Sequence, residues 1–398
     1  MGGILFRGTC IAILMAGAMP VSAAASPAIT KNAADRLDDS YAILGPLFAR
    51  GSVDPALKRR IVERARLALA RPSRARAHIR IEGTSSGHTK APGAAAVAAA
   101  SPDELAAARS SLEDMDAMFD LAVAWRLTGD KRYLEASDRY LDAWVSTYEL
   151  SLNPVDEGRF GKLVLAYDLV ETATPSKTRR KVDAFLRNMA RGYIEAMESE
   201  NVPIKPTLIN NWQSHRIKLA TLAAFQIGDR DLIDRAHRLF DAHVDANMRP
   251  DGTTVDFLQR DALHYVTYSV SSQLLAAMAA AAHGEDWYGY RGPGGQGLPW
   301  TLGWLDTFAS GKQQHTEFVH SVVPYDRQRA AAGGSIYQNR SWDPLTAATV
   351  YLMAASLDPQ WVERARALER ARADRSAPVD PDEGPDEWLS ILLEGKRR

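Results

Sequence analysis

"TGDKRYLEASDRYLDAW" (residues 128–144) and "IGDRDLIDRAHRLFDAH" (residues 227–243) decide the fold between them. Each follows an apolar segment, turns through Gly-Asp and then runs on with helical spacing. In the first, Tyr133, Tyr140, Leu141 and Trp144 share one helical face. Just upstream, "EDMDAMFDLAVAWRL" sets Met115, Met118, Ala122 and Trp125 at intervals of three and four. The two stretches share Gly, Asp, Arg, Asp and Ala at matching places and start 99 residues apart. That offset equals two helical hairpins of about 50 residues, the length of a repeated unit.

Working outward, the same rhythm predicts helices near 55–70, 158–172, 177–199, 211–226, 230–247, 257–283, 344–357 and 360–373. Connections are short and marked by Gly-Asp, Asn-Pro or Pro-Ser. Strand signals are confined to the Gly- and His-rich region 310–340. Helical hairpins packed side by side form an open solenoid or a closed toroid. Helices of these lengths with an irregular, Gly-rich C-terminal part favour an all-α fold, an incomplete (α/α) toroid with long loops at one mouth.

Residues 1–24 have the form of an export signal: one arginine (Arg7), an apolar run, then the small residues Ser22, Ala23 and Ala24. The run is too short for a membrane span, so no membrane attachment is expected once the signal is removed. The only cysteine, Cys10, lies within it, which leaves the mature chain without thiol or disulfide chemistry. A periplasmic or secreted protein follows. Residues 25–375 would form the toroid and 376–398 a Pro- and acid-rich tail held through Trp388 and Leu389. The loop 78–102 is long enough to serve as a lid. A net charge of −1 argues against a nucleic-acid partner.

No phosphate loop, H-E-x-x-H, cysteine cluster or G-x-S-x-G is present. Two polar helix starts stand out instead. In "LINNWQSHRIKLA" (208–220), Asn210 and Asn211 open a helix, Trp212 follows, and His215 lies one turn in. One asparagine is accounted for as a helix cap; two, with a histidine behind them, suggest an anion receptor at the positive helix end. In "DGTTVDFLQRDALHYVTYSVSSQLL" (251–275), a helix from near Val255 would place Arg260, His264 and Tyr268 on one stripe, with Tyr265 beside it. The alternative is that the tyrosines are core residues and that Arg260 pairs with Asp261 or Asp256. Amides and an arginine to hold a carboxylate, with His and Tyr to move protons, suit proton removal alpha to that carboxylate. The target in a uronic acid polymer is the C5 proton, and loss of O4 completes a β-elimination that needs no metal or other cofactor.

These stretches also carry a resemblance. The chain resembles the alginate lyase family of helical-toroid polysaccharide lyases over roughly residues 75–345. The resemblance rests on "MFDLAVAWRLTGDKRYLEA", "NPVDEGRFGKLVLAYDLV", "INNWQSH", "DGTTVDFLQRDALHYVTYSV" and "GKQQHTEFVHSVVPYDRQRAAAGG". It implies that Asn210 and Asn211 neutralise a substrate carboxylate and that Arg260 assists. Tyr268 or Tyr265 would transfer protons, with Tyr268 favoured by its place on the Arg260 stripe. Trp212 stands where many members have histidine, so the histidine role passes to His215, as partner or as alternative base. The substrate implied is an anionic polysaccharide, alginate or polymannuronate, with glucuronan or another polyuronate as the alternative.

The stretch "HTEFVH" (315–320) invites a metal reading, but spacings of two and three on an irregular segment support none. His315 and Glu317 are instead expected at the cleft wall or on substrate. Two rivals are defined. A glycoside hydrolase would use Glu157 or Asp156 with Asp256 as its carboxylate pair. A non-catalytic polysaccharide-binding protein would use the same hairpins.

Overall fold

Gly129 and Gly228 show how the hairpins are made. Both adopt left-handed backbone, φ 71° and 65°, which glycine reaches without steric cost. Each closes one helix by donating its N–H back to the last turn. The following aspartate, Asp130 or Asp229, caps the next helix by accepting a backbone N–H. The two stretches are thus the same turn at two points of one repeat.

The structure, a computed structural model, describes residues 43–44, 53–81, 101–199, 206–331, 335–374 and 387–394. All of these belong to one compact unit, Lys31–Arg398. Its helices are α1 (Pro55–Leu69), α2 (Pro102–Thr128), α3 (Lys131–Thr147), α4 (Pro154–Glu157), α5 (Gly161–Val170), α6 (Ser176–Ser199), α7 (Asn211–Ile227) and α8 (Arg230–Asn247). They continue as α9 (Val255–Arg260), α10 (Leu263–Ala282), α11 (Leu298–Ala309), α12 (Pro324–Ala331), α13 (Ala348–Leu357), α14 (Val362–Ala373) and α15 (Ile391–Glu394). The expected signal (1–24), most of the expected lid (82–100) and most of the tail lie outside the described residues.

Helices alternate between two classes. In α7, 15 of 17 residues are buried, whereas in α8 only 7 of 18 are, spaced along one face. A helix buried all round must be enclosed by others, and a half-buried one must face solvent. Accordingly α2, α5, α7, α10 and α13 pack in that order as an inner row, each on the next. The more polar α3, α6, α8 and α14 lie outside their hairpin partners. This is the all-α, incomplete (α/α) toroid. The tail residues Trp388 and Leu389 are buried, and the segment around them packs on both α1 and α13. Trp388 also meets Phe119 of α2 edge-on at 5.1 Å. The tail therefore bridges the seam between the first and last inner helices.

Three expectations need correction. Among the described residues, 310–340 holds no strand: an isolated bridge, Thr316–Ser341, accompanies turns and α12. The reason is local, since this segment bonds to the backbone of residues 259–261 rather than to another strand. Helix α11 was not foreseen, because Pro299 and Gly303 broke its pattern; Pro299 occupies the first turn, where its missing N–H costs nothing. The single helix expected over 257–283 is two, α9 and α10, parted at Asp261 with φ 50° and ψ 49°.

Candidate active site at the start of two inner helices

At the start of α7 the two asparagines divide the work. Asn210 is the cap, its side-chain oxygen accepting from the Trp212 N–H at 3.1 Å. This commits the oxygen and leaves the NH2 group for a ligand. Asn211 donates from its backbone and its side chain to one oxygen of Asp256, at 3.0 and 2.6 Å. Asn247 donates to the other oxygen at 3.1 Å. Burial pushes the Asp256 carboxyl upward, while these bonds and Arg260 pull it back. Asn211 thus ties α7 to α9 through a buried carboxylate.

One turn into α7, His215 lies beneath Tyr268 of α10, ring centroids 3.9 Å apart and planes inclined by 40°. His215 is 5% exposed and Tyr268 39%. Burial, and then the charge of Lys218, hold the imidazole well below its usual pKa, so it is neutral. Lys218 Nζ lies 3.1 Å from His215 Nδ1 and donates to the Gly158 carbonyl at 2.9 Å. Ser272 Oγ is 3.2 and 3.3 Å from the two ring nitrogens. A methyl group placed on Gly158 would come within 3.7 Å of His215 Nδ1 and 3.9 Å of the Tyr268 hydroxyl. Both groups therefore converge on that glycine from α7 and α10.

The break at Asp261 removes the predicted stripe. Arg260 ends α9, while His264 and Tyr268 belong to α10. Neither suggested partner holds Arg260: it pairs with Asp326, and its guanidinium lies 4.0 Å over the Tyr265 ring. Tyr265 is 8% exposed and shares a hydrogen bond of 3.3 Å with Tyr337. Burial raises its hydroxyl well above the usual range, with Arg260 opposing. With Phe318, Tyr337 and Ala262 it forms a small apolar cluster under the C-terminal loop. His264 stacks parallel to Tyr268 at 6.3 Å and completes the wall. Trp212 is half-buried at the helix start, with the Arg216 guanidinium 5.9 Å from its ring centre.

Glu317 has another task than the one expected. It is 1% exposed, and its two oxygens accept the Leu263 and His264 backbone N–H groups at 2.8 and 2.9 Å. Ala262, at the cap position of α10, has no side chain able to do so, and Glu317 supplies the cap from 54 residues away. His315 bonds the Asp261 carbonyl at 3.0 Å and sits against Phe257. The 315–320 stretch thus clamps the break between α9 and α10. Among the described residues, no three His, Cys, Asp or Glu side chains are grouped to hold a metal ion.

The hydrolase pair is not presented. Glu157 is fully buried and accepts from Tyr148, Tyr193, Leu152 and Ser151. Asp156 is taken by Ile81 N–H and Asn153, and Asp256 by the two asparagines. Trp144 and Tyr148 are core residues. Sequence reasoning missed Lys218, Ser272 and Gly158, as well as a buried network in which Ser214 Oγ meets His243 Nε2 at 2.7 Å and Ser269 at 2.6 Å. The only hint was the polarity of "SHRIK" within a buried helix.

With this geometry in hand, comparison with known proteins gives consistent results. The family model described as alginate lyase matches residues 71–315. Among solved structures the chain is similar to an alginate lyase from Bacteroides ovatus, with TM-score 0.59 and 17% identity over 91% of this chain and 98% of that one. It is also similar to alginate lyase A1-III from Sphingomonas species A1, with TM-score 0.50 and 16% identity over 88% and 95% of the two chains. An apo variant of A1-III gives 0.53 and 17% over 90% and 96%. At these identities the likeness speaks for the fold. No curated protein matches the chain by sequence.

Proposed function

The chain belongs to the alginate lyase family and is a polysaccharide lyase; from that premise we propose that it cleaves a polyuronate of the polymannuronate type by β-elimination, with Tyr268 as the proton carrier. The observation that carries this reading is a partly exposed phenol whose ring lies, tilted, against a buried, neutral imidazole at the polar start of α7. Tyr268 takes the C5 proton and a proton passes from it to the departing O4, so both groups leave from one face of the sugar. The C5 proton becomes acidic only when the neighbouring carboxylate is neutralised. The Asn210 amide, the positive end of α7 and the nearby Lys218 charge serve this purpose. Arg260, committed to Asp326 and Tyr265, holds the wall and contributes its field. Trp212 offers an aromatic face to a neighbouring sugar.

In this reading the cations of the site come from the chain, so a chelator leaves the rate unchanged. Export is proposed from the form of residues 1–24, and N-terminal sequencing of the mature protein, expected to begin near Ala25, checks it. The function itself is tested by incubation with polymannuronate, polyguluronate and glucuronan, following the ultraviolet absorbance of the C4–C5 double bond. A rise on polymannuronate that is lost in Tyr268→Phe is the expected result. Reducing ends released without that absorbance would replace the lyase reading with hydrolysis.

A further inference from the structure

Lys218 does more at the site than lend its charge. We propose that it is a positioning residue, which fixes His215 in the tautomer carrying its proton on Nε2 and so withholds the imidazole from service as the base. The inference rests on the reading of Tyr268 and His215 given above.

An ammonium group has three donors and no acceptor. Lys218 spends one on the Gly158 carbonyl at 2.9 Å and lies 3.1 Å from His215 Nδ1. That nitrogen must therefore be the acceptor. A neutral imidazole carries one proton, which is left to Nε2. Ser272 does not choose between the nitrogens, since its Oγ lies 3.2 Å from Nδ1 and 3.3 Å from Nε2 and its hydroxyl also reaches the Tyr268 carbonyl at 3.3 Å; the assignment rests on Lys218. With the Nδ1 lone pair engaged and Nε2 protonated, neither nitrogen is a ready base. The stem of Lys218 is held too: it is 8% exposed, and a methyl on Gly161 of α5 would lie 3.8 Å from its Cε. Lys218 is three residues from His215 on one face of α7, so a rigid helix sets the geometry. The consequence is a directional site. Proton removal falls to Tyr268, and substrates whose C5 proton lies on the other face, as in the C5-epimeric polyguluronate, meet no base.

The test is the protonation pattern of His215 by nitrogen-15 NMR of histidine-labelled protein, its signal identified among nine histidines by its loss in His215→Gln. Expected is a protonated Nε2 and a bare Nδ1 in the wild type, turning into a mixture of tautomers in Lys218→Met. Lys218→Arg, also a pure donor, should restore the wild-type pattern. In parallel, Lys218→Met, which frees the Nδ1 lone pair, should raise kcat/KM on polyguluronate relative to polymannuronate by at least about tenfold, and Lys218→Arg should restore the wild-type ratio. A proton on Nδ1 in the wild type, or a pattern that Lys218→Met leaves untouched, overturns the proposal. The NMR result is independent of turnover. Inactivity of the wild type on every polyuronate would sink the functional reading and leave the tautomer assignment to stand or fall on its own.

Discussion

Tyr265 and Tyr268 differ by three positions on one helix, yet their hydroxyls meet different surroundings. Tyr265 gives its oxygen to Tyr337 under a loop, whereas Tyr268 keeps its ring partly in solvent above His215. Positioned proton transfer contributes about 10²–10⁴-fold to rate. Tyr268→Phe should therefore lose at least about a hundredfold in kcat with an unchanged unfolding midpoint. Tyr265→Phe should stay within about tenfold of wild type and lose roughly 1 kcal/mol of stability, the worth of one hydrogen bond. Steady-state kinetics beside chemical denaturation separates the two, and a reversal would move the proton carrier to Tyr265. A second prediction concerns His243, held at a pKa of about 3 by burial and by the charge of Arg216. It is neutral when folded but takes a proton near pH 6.5 when unfolded. The unfolded state thus binds more protons between pH 6.5 and 3, and stability drains away as pH falls through that window. At about 1.4 kcal/mol per unit this amounts to roughly 5 kcal/mol at its acid end. The slope of unfolding free energy against pH should flatten over pH 4–6.5 in His243→Gln, and an unchanged slope would refute the assignment. Sequence alone named Asn210, Asn211, His215 and Tyr268 because unusual residue types announce themselves. It missed Lys218 and Ser272 because a lysine in a helix reads as surface until the fold encloses it.

At the scale of the element, the break at Asp261 is the feature that sequence could not disclose. Helical periodicity runs unbroken across "LQRDALHY", and an aspartate in left-handed backbone leaves no mark on it. What forces the break lies elsewhere in the chain. Glu317 caps α10, Phe318 N–H bonds the Asp261 carbonyl at 2.7 Å, and His320 N–H bonds its carboxylate at 2.8 Å. Glu317→Ala leaves one buried and one partly buried amide without acceptors, the buried one worth roughly 1–3 kcal/mol. The helix also loses a negative charge at its positive end. We expect a loss of roughly 2–5 kcal/mol in unfolding free energy, with the denaturant slope unchanged. Because His264, Tyr265 and Tyr268 hang from that first turn and a half, kcat should fall as well. Full stability in Glu317→Ala would show that solvent caps α10 unaided and that the clamp is incidental.

For the whole molecule, the repeat was legible because its turn is local. Gly129-Asp130 and Gly228-Asp229 carry the stop and start signals of two helices within two residues. Closure was not legible, since a ring's last contact joins residues far apart in sequence and leaves no period. The tail was expected to be held through Trp388 and Leu389, but its Pro- and acid-rich composition gave no sign of where. They enter the core between α13 and the first helices, with Ser390 held to Glu369 of α14 at 2.5 Å. Trp388→Ala removes a large buried side chain from Phe119 and opens a cavity at the seam, a change that typically costs about 3–5 kcal/mol. The proposed proton carrier, Tyr268, and its neighbour His215 sit on α10 and α7, and α13 stands between them and the seam. The variant should therefore unfold at lower denaturant while keeping wild-type kcat and KM at temperatures well below its transition. A fall in kcat at low temperature, in step with the loss of stability, would show instead that ring closure sets the distance between His215 and Tyr268, and that the tail belongs to the active site as much as to the core.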